Sequence, residues 1–429
     1  MTDSLPQLTQ FRVEAQANGL IHLIFDCPDR SMNVFSNQAI HELGSFAKWL
    51  QHSDARGVVV RSGKTNGFCA GADLTELGVA YEMIVAAPPA DRFDMAFDHF
   101  FPLGHAIRRL ETAGKPVAAA IAGVALGGGC ELVMGCHYRV ATTSPRAMLG
   151  LPECAVGLLP GAGGTQRMPR LVGLDLGLEV LLHGRNLQGR KALDSGLIDL
   201  LVEEGAEIAA AEAWLLSGDA HCTQPWDRPS ARALSHSANT ALIEAERSYQ
   251  LARMLGHEPA PLAILDCVEL GLVQPMDGAI RSEMAVFARL IQRPEPRNMI
   301  RTMFLGKQAF DKATRSGAVD PAVDEAKAQI EAIVRAAADQ CPRLHSAGFL
   351  TSDQSLAPVQ DRIGDDFWFR SDAATAAAVI DICEATAPFM RQLDEGQLLL
   401  VEHQLAAAGI IPAYLGGLGG LHAACSTAA

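Results

Sequence analysis

The stretch of residues 121–164 constrains the fold and chemistry of this chain more than any other segment. An apolar run ends in three successive glycines, residues 127–129, and a short helical pattern carrying Glu131 follows. A second acid, Glu153, comes in a loop punctuated by glycine and proline. Both acids lie among apolar and small residues, with few bases nearby. Because carboxylates in such surroundings have perturbed pKa values, the stretch indicates acid–base chemistry.

The composition limits the number of domains and the kinds of partner that this chain can have. A chain of 429 residues is long enough for two or three domains, and its hydrophobic content of 49 % is ample for a large core. The net charge of −14 argues against nucleic acid or an anionic membrane as the main partner, because phosphate surfaces would repel it. No run approaches the roughly eighteen uninterrupted apolar residues of a membrane span.

The N-terminus and the cysteines indicate the compartment. The opening sequence, MTDSLPQLTQF, has neither a basic segment nor an apolar one, so we expect no secretory signal. The ten cysteines are scattered singly, without the paired spacing of a zinc site. We therefore expect reduced core thiols and a cytoplasmic location.

Alternating strand and helix patterns indicate the fold class. Residues 11–27 contain two strand patterns separated by Asn18-Gly19, a hairpin signal. Ser36 is the expected N-cap of the helix that follows. The remaining patterns up to residue 205 include helices at 36–52, 78–110, 171–182 and 186–195, and another helix that opens near Asp73. The strand patterns lie at 57–63, 117–126, 138–142 and 196–205, and a loop is expected at 64–71. This order predicts an α/β protein of stacked ββα units, with sheets covered by helices.

The second half of the chain is helical in pattern. Residues 228–315 are helix-patterned and interrupted by prolines, and an alanine-rich composition follows. Asp320 gives an N-cap with Pro321 at the first helical position, which predicts a helix over 322–340. Two further helices are expected at about 372–387 and 390–408.

The three successive glycines have two interpretations. Glycine permits a positive φ and close approach of a ligand to the backbone. At the start of a helix, the free N–H of Gly128 or Gly129 would stabilise an anionic oxygen developing on a substrate. A tight strand-to-helix turn without a ligand is the alternative. A dinucleotide site is excluded, because the GxGxxG spacing is absent here and in the other glycine-rich segments, residues 161–166 and 416–422.

Each acid also has a structural interpretation. Glu131 could be a first-turn acid favoured by the helix dipole, and Glu153 could be a solvated loop acid. A second glycine-containing loop, FCAGAD (residues 68–73), offers further backbone N–H groups. The three features together favour one site over three unrelated ones.

Three motifs carry a resemblance to a known family. CAGADL (69–74), ALGGGCEL (125–132) and LPE followed by VGLLPGAGGTQRMPR (151–170) are similar, in order and spacing, to the signature segments of the enoyl-CoA hydratase/isomerase (crotonase) superfamily. The resemblance covers residues 11–205 strongly and continues weakly to about 310. It is closest to the hydratase half of the bacterial multifunctional fatty-acid oxidation α-subunit.

The resemblance implies a fold and a division of the chain. The fold would be a crotonase-like repeated ββα superhelix with a helical C-terminal region. Residues 1–227 would form the catalytic core, residues 228–315 would complete the hydratase domain, and residues 316–429 would be a helical extension of unassigned role. No strand–GxGxxG–helix pattern follows residue 310, so we expect no dehydrogenase domains.

The resemblance also implies a reaction. The N–H groups of Ala72 and Gly128 would form an oxyanion hole for the thioester carbonyl. Glu131 would deprotonate water, and protonated Glu153 would deliver a proton to the α-carbon of a trans-2-enoyl-CoA in β-oxidation. The implied contacts to coenzyme A come from Cys69, Ala70, Gly71, Asp73 and Gly127. No metal or cofactor is implied, since coenzyme A is part of the substrate.

Alternatives remain for both activity and partners. The same site could shift a double bond as a Δ3-Δ2-enoyl-CoA isomerase, or the chain could be a catalytically altered crotonase-fold partner protein. The C-terminal extension could mediate homo-oligomerisation or dock to a separate dehydrogenase or thiolase. An aromatic cluster at residues 365–369 suits either role.

Overall fold

A computed structural model describes residues 5–65, 67–228, 237–254, 257–350 and 373–426 of the chain. The chain divides into two compact units. Unit 1 comprises Met1–Cys154, Leu159–Leu242 and Ala263–Gln292, and unit 2 comprises Ala155–Leu158, Ile243–Leu262 and Arg293–Ala429. The domain boundaries after residues 227 and 315 stay predictions. The aromatic cluster at 365–369 lies outside the described residues.

The described part of the chain contains two β-sheets. The strands are β1 (Phe11–Ala15), β2 (Leu20–Phe25), β3 (Gly57–Ser62), β4 (Gly67–Cys69), β5 (Val117–Ile121), β6 (Val124–Leu126), β7 (Tyr138–Thr142), β8 (Met148–Gly150), β9 (Leu187–Gln188) and β10 (Leu200–Val202). The larger sheet has the order β1-β2-β3-β5-β7-β10, and the smaller has the order β4-β6-β8-β9.

Helices follow the strands and then replace them. Up to residue 254 they are α1 (Asn37–His52), α2 (Leu74–Ala86), α3 (Arg92–Glu111), α4 (Gly128–Gly135), α5 (Gly164–Val172), α6 (Leu174–His183), α7 (Gly189–Asp194), α8 (Glu207–Leu216) and α9 (Ser237–Met254). Beyond it they are α10 (Ala260–Gly271), α11 (Met276–Leu290), α12 (Pro294–Met299), α13 (Gly306–Ser316), α14 (Pro321–Gln340), α15 (Arg343–Ser346), α16 (Ala373–Met390), α17 (Glu395–Ala407) and α18 (Gly417–Ser426). A π-helical segment, Ile300–Leu305, joins α12 to α13.

The larger sheet is mostly parallel. Of its described strands, β1 and β2 pair antiparallel, through the predicted hairpin in which Gly19 has a φ of +82°. The strands β2, β3, β5, β7 and β10 then run parallel. Small and β-branched residues of these strands, among them Val59, Ala118 and Val140, pack with Ala211 and Leu215 of α8 on one face. A sheet buried in this way produces continuous apolar strands, as in the sequence.

The two sheets are connected by a repeated unit. In three successive repeats one strand of the larger sheet (β3, β5, β7) is followed by one strand of the smaller sheet (β4, β6, β8) and then by helical structure. This arrangement confirms the predicted ββα repetition. It also puts the segments after β4, β6 and β8 at equivalent positions of neighbouring repeats.

Several local predictions are wrong in detail. The strand expected over 117–126 is two strands, β5 and β6, which belong to different sheets. The expected loop at 64–71 contains β4, which gains its hydrogen bonds by parallel pairing with β6. The helix expected over 78–110 is two helices, α2 and α3, because Pro88 and Pro89 lie between them and disfavour helix. The helix expected over 186–195 starts at Gly189, since residues 187–188 pair with β8 as β9.

Unit 2 has a helical core of its own. Buried side chains of α14, α16, α17 and α18 form one apolar cluster. Asp320 caps α14 by accepting the N–H of Ala322, which confirms the predicted helix start. Among the described residues, one helix, α16, has the length and apolar composition to cross a membrane. Six of its residues, including Val379 and Ile382, are buried.

Candidate active site

The smaller sheet brings three distant segments together. Its strands β4, β6 and β8 are parallel neighbours, with Cys69 opposite Ala125 and Leu126 opposite Gly150. Because the carboxyl ends of parallel strands meet at one edge of a sheet, the segments that follow these strands converge there. Those segments carry Ala72, Gly128 and Glu153.

The N–H of Ala72 is free to face a ligand. The loop containing it pairs with Phe35: Gly71 accepts the N–H of Phe35 at 2.8 Å, and Asp73 donates its N–H to the Phe35 carbonyl at 3.0 Å. The N–H of Ala72 belongs to the same trans peptide group as the Gly71 carbonyl, which faces Phe35, so this N–H points away from Phe35. It has no acceptor among the described residues, and Ala72 is exposed.

The N–H of Gly128 lies beside this loop. Gly128 begins α4, where the first N–H groups have no partner within the helix. A Cβ placed on Gly71 would lie 3.6 Å from the nitrogen of Gly128, so the two glycine segments are in contact. The geometry is therefore compatible with Ala72 and Gly128 sharing one oxygen atom, as the resemblance implies.

Each outer glycine of the 127–129 triplet meets a different neighbour. Gly127 has a φ of +53°, and a Cβ there would be 2.8 Å from Oε1 of Glu153. A Cβ on Gly129 would be 2.7 Å from the Cβ of Cys69. The glycines thus permit both the turn and the close packing of the loops around it.

Glu131 is a buried carboxylate with backbone donors. It lies in the first turn of α4 and is 2 % exposed. Its Oε1 accepts the N–H groups of Ala162 and Gly164, each at 2.7 Å, whereas its Oε2 has no hydrogen-bond partner in the described part of the chain. Burial raises the pKa of Glu131 to about 7, and the two N–H groups and Arg167 oppose that rise.

The carboxyl group of Glu153 has fewer hydrogen-bond partners than that of Glu131. It starts a short 3-10 turn, Glu153–Val156, after β8. Its Oε1 lies against Gly127, whose carbonyl accepts the N–H of Glu131, and its Oε2 is buried without a partner among the described residues. Burial and the charge of Glu131 raise the pKa of Glu153 well above its usual range. Two N–H donors stabilise the ionised form of Glu131, whereas Oε2 of Glu153 has no partner among the described residues, so these surroundings favour a proton on Glu153.

A buried ion-pair network supports the loop that holds Glu131. Arg167 donates to both oxygens of Glu111, at 3.1 and 3.0 Å, and also to the carbonyl of Ala162 at 2.9 Å. Arg108 donates to Glu111 at 2.9 Å and binds Asp227 as well. Arg167 and Glu111 are almost completely buried. The network fixes the peptide group next to the one that binds Glu131.

Sequence reasoning missed this network and a further acid, Glu283 of α11, which is fully buried. Neither Glu111 nor Glu283 stands in a recognisable motif. The available signal is a carboxylate on the apolar side of an amphipathic helix: Glu283 falls in line with Ala279, Ile280 and Phe287, all buried. A charge on that side needs buried partners, which only the folded chain supplies.

The implied coenzyme A contacts stay predictions. Cys69 is fully buried, and burial raises the pKa of its thiol to about 12. Asp73 caps α2 through the N–H groups of Thr75 and Glu76 and binds Arg30, which confirms that it fixes the helix start. The remaining predicted contacts are Ala70, Gly71 and Gly127. In the described residues no cluster of His, Cys, Asp and Glu could hold a metal ion.

The repeated ββα architecture and the helical C-terminal region define the fold as the crotonase fold. The chain belongs to the enoyl-CoA hydratase/isomerase family, whose model matches residues 15–248. The family thus indicates an enzyme of the enoyl-CoA hydratase/isomerase kind.

Two relatives show how far the similarity extends. The fatty acid oxidation complex subunit alpha of Shewanella amazonensis is 32 % identical over 315 residues, which are 72 % of this chain and 43 % of that relative. The same subunit of Shewanella halifaxensis is 33 % identical over 314 residues, with the same coverage. The chain thus matches less than half the length of these relatives, and the resemblance to that α-subunit is confirmed.

Solved structures are similar as well. An enoyl-CoA hydratase from Mycobacterium smegmatis is 27 % identical, with a TM-score of 0.41, over 48 % of this chain and 75 % of that one.

Proposed function

We propose that this protein is an enoyl-CoA hydratase, which adds water to a trans-2-enoyl-CoA to give a 3-hydroxyacyl-CoA in fatty-acid β-oxidation. One observation carries the proposal. Glu131, which is buried, and Glu153, which is half-buried with a buried Oε2, have their carboxyl groups near two backbone N–H groups that have no acceptor among the described residues, and their surroundings favour opposite protonation states. Hydration needs one base and one acid in a single site, which is what such a pair provides.

Glu131 is the base in this proposal. Its Oε1 is held by two backbone N–H groups, and its Oε2 remains for the attacking water. The ionised carboxylate removes a proton from water while the water oxygen bonds to C3 of the substrate. The donors to Oε1 fix the direction of Oε2, and orientation of this kind lowers the entropic barrier.

Ala72 and Gly128 stabilise the charge that this attack creates. As the C3–O bond forms, the electrons of the C2=C3 double bond move to the thioester oxygen as an enolate. The two N–H groups bind that oxygen more strongly as its charge grows, so they stabilise the transition state more than the substrate. The position of Gly128 at the start of α4 adds the positive end of the helix dipole.

Glu153 completes the reaction. The enolate collapses to the thioester, and C2 takes the proton that Glu153 carries. The product is then neutral, Glu131 is protonated and Glu153 is ionised. Transfer of one proton from Glu131 to Glu153, directly or through water, restores the starting state. The proton on Glu153 is available at neutral pH because burial and Glu131 raise its pKa.

The two alternatives use less of the site. An isomerase needs one carboxylate to move a proton between C2 and C4, so the presence of a second acid, Glu153, favours hydration. A partner protein without activity would need neither acid, nor the free N–H groups.

The roles in oligomerisation or in docking to a separate dehydrogenase or thiolase, and the cytoplasmic location, stay predictions. Native mass spectrometry with and without candidate partners tests the first two roles.

The test is a hydration assay with 2-enoyl-CoA substrates of increasing chain length. Hydration removes the conjugated double bond, so the ultraviolet absorbance of the enoyl thioester should fall. Glu131→Gln and Glu153→Gln should each lower kcat by on the order of a hundredfold or more, the scale typical of lost general acid–base groups. A parallel assay with 3-enoyl-CoA substrates detects isomerisation as a rise in the same absorbance.

The matched control is Glu42→Gln. Glu42 of α1 is also a buried carboxylate, and it accepts backbone N–H groups from Thr9, Gln10 and Phe11. Its loss should leave kcat within about twofold of wild type, since it has no part in the site. Wild-type protein that hydrates no substrate contradicts the proposed function. Full activity in both site variants contradicts the assignment of the acids.

A further inference from the structure

Glu283 is a buried carboxylate on the same backbone turn as Glu131. It lies on α11 and has no exposed surface. Its Oε1 accepts the N–H of Gly163 at 2.6 Å, and its Oε2 accepts the N–H of Thr165 at 3.0 Å and the hydroxyl of the same residue. No motif and no implied family role includes this residue.

Glu283 and Glu131 divide one turn of backbone between them. Along residues 162–165 the N–H groups alternate: Ala162 and Gly164 donate to Glu131, whereas Gly163 and Thr165 donate to Glu283. The turn can present its N–H groups in two directions because Gly163 has a φ of +97°. The position of one carboxylate therefore depends on the other.

We propose that Glu283 is a positioning residue for the hydration reaction: it fixes the turn at residues 162–165, so that the turn holds one oxygen of Glu131 and leaves the other for water. The inference rests on the proposed function. Without Glu283, the N–H groups of Gly163 and Thr165 would be buried without acceptors, and the turn would shift to satisfy them. Glu131 would move with it, away from the geometry that attack on C3 requires.

The charge of Glu283 should also affect the pKa of Glu153, so the pH dependence of activity provides a second test of the inference. The titratable groups that face it are Glu131, Glu153, Arg167, Arg170 and Cys267. Burial and Glu131 raise the pKa of Glu283 to about 8. Once ionised, Glu283 helps to raise the pKa of Glu153, after burial and Glu131. Neutralising Glu283 should therefore let Glu153 lose its proton at lower pH.

The experiment compares pH profiles of Glu283→Gln and wild type. We expect kcat to fall about tenfold with KM changed less than about twofold, since the substrate's binding groups are untouched. The alkaline limb of the kcat/KM profile, where Glu153 loses its proton, should move to lower pH by about half a unit or more. Glu42→Gln, the same substitution at another buried carboxylate, should show neither change. Wild-type kcat and an unmoved alkaline limb in Glu283→Gln would overturn the inference.

A second measurement needs no turnover. Tm values of Glu131→Gln, Glu283→Gln and the double variant should be non-additive, because both residues act on one turn. If wild type hydrates no enoyl-CoA, the proposed function fails, but this double-mutant cycle of Tm values still decides whether Glu131 and Glu283 are coupled. Additive changes in Tm would show that they are not coupled and would overturn the inference. If Glu283→Gln does not fold, Thr165→Val removes a donor to the same carboxylate. It should lower kcat about threefold, and unchanged kcat there counts against the inference.

Discussion

Both units of this protein bury a glutamate that accepts backbone N–H groups at the start of another helix, but they treat its charge differently. In unit 2, Glu402 has no exposed surface, accepts the N–H of Gly419 in α18, and binds Arg301 through two nitrogens at 3.1 and 2.8 Å. In unit 1, Glu131 accepts two N–H groups around the start of α5, and no guanidinium in the described part of the chain donates to it.

The difference identifies which carboxylate is available for chemistry. A buried carboxylate that binds an arginine is one half of an ion pair, and removing either partner leaves the other without compensation. A buried carboxylate held only by neutral donors has a raised pKa and can exchange a proton near neutral pH. Burial alone does not distinguish Glu131 from Glu402, whereas a direct ion pair with an arginine, present at Glu402 and absent at Glu131 in the described residues, does.

The largest expected effect is a stability change of opposite sign in the two units. Burial raises the pKa of Glu131 from 4.5 to about 7, which corresponds to about 3 kcal/mol. The folded state therefore binds the proton more tightly than the unfolded state, and stability falls as the pH rises from about 4.5 to 7. Glu131→Gln should raise the Tm at pH 8 and leave it nearly unchanged at pH 4. Thermal melts at both pH values measure this.

Glu402→Gln tests the other half of the comparison between Glu131 and Glu402. It leaves Arg301 without its carboxylate, so the Tm should fall, with a loss of about 1–3 kcal/mol. Hydration activity should persist, because Glu402 is not part of the proposed site. A stabilised Glu402→Gln, or a destabilised Glu131→Gln at pH 8, would contradict the distinction drawn between the two acids.

Gly127→Ala is expected to have the next largest effect. Its Cβ would lie 2.8 Å from Oε1 of Glu153, so the acid must move, and kcat should fall about tenfold or more. Gly114→Ala is the matched control, since Gly114 also has a positive φ, +74°, but a Cβ there meets no atom within 4 Å. Both variants should lose some stability to backbone strain. Equal kcat values in Gly127→Ala and Gly114→Ala would show that Gly127 has no role in the active site.

The smallest effect concerns two helix caps. Asp73 caps α2 and Asp320 caps α14, and replacing either with alanine should destabilise the protein by about 1 kcal/mol. Only Asp73 follows Ala72 directly, so only Asp73→Ala should also lower kcat/KM, by about threefold. Steady-state kinetics of the two variants separate the roles. A loss of kcat/KM in Asp320→Ala would show that the effect is not local to the oxyanion loop.

Much of the fold can be predicted because its determinants are local. The Asn18-Gly19 hairpin, the Ser36 cap and the Asp320 cap each depend on a few adjacent residues, and all three are confirmed. The strand β4 cannot be predicted in the same way. It has three residues and exists through pairing with β6, more than fifty residues later in the chain.

The candidate site shows the same division. Glu131 and Glu153 can be recognised because they lie in compact motifs with glycine and proline around them. Glu283 lies 120 residues from its partner Gly163 and 118 residues from Thr165, on a helix with an ordinary amphipathic pattern. Which of Glu131 and Glu153 holds the proton is also beyond the sequence, because it depends on hydrogen bonds that form only on folding.

The alternating N–H groups of residues 162–165 have a consequence for building a minimal catalyst from this chain. A shortened version that ends before Met276 would retain Ala72, Gly128 and both proposed catalytic acids, yet it would lack the carboxylate that occupies half of the turn. The smallest transferable unit of the active site is therefore discontinuous. It joins the two glycine loops and the turn to a helix more than a hundred residues downstream, and a graft of the motifs alone would be incomplete.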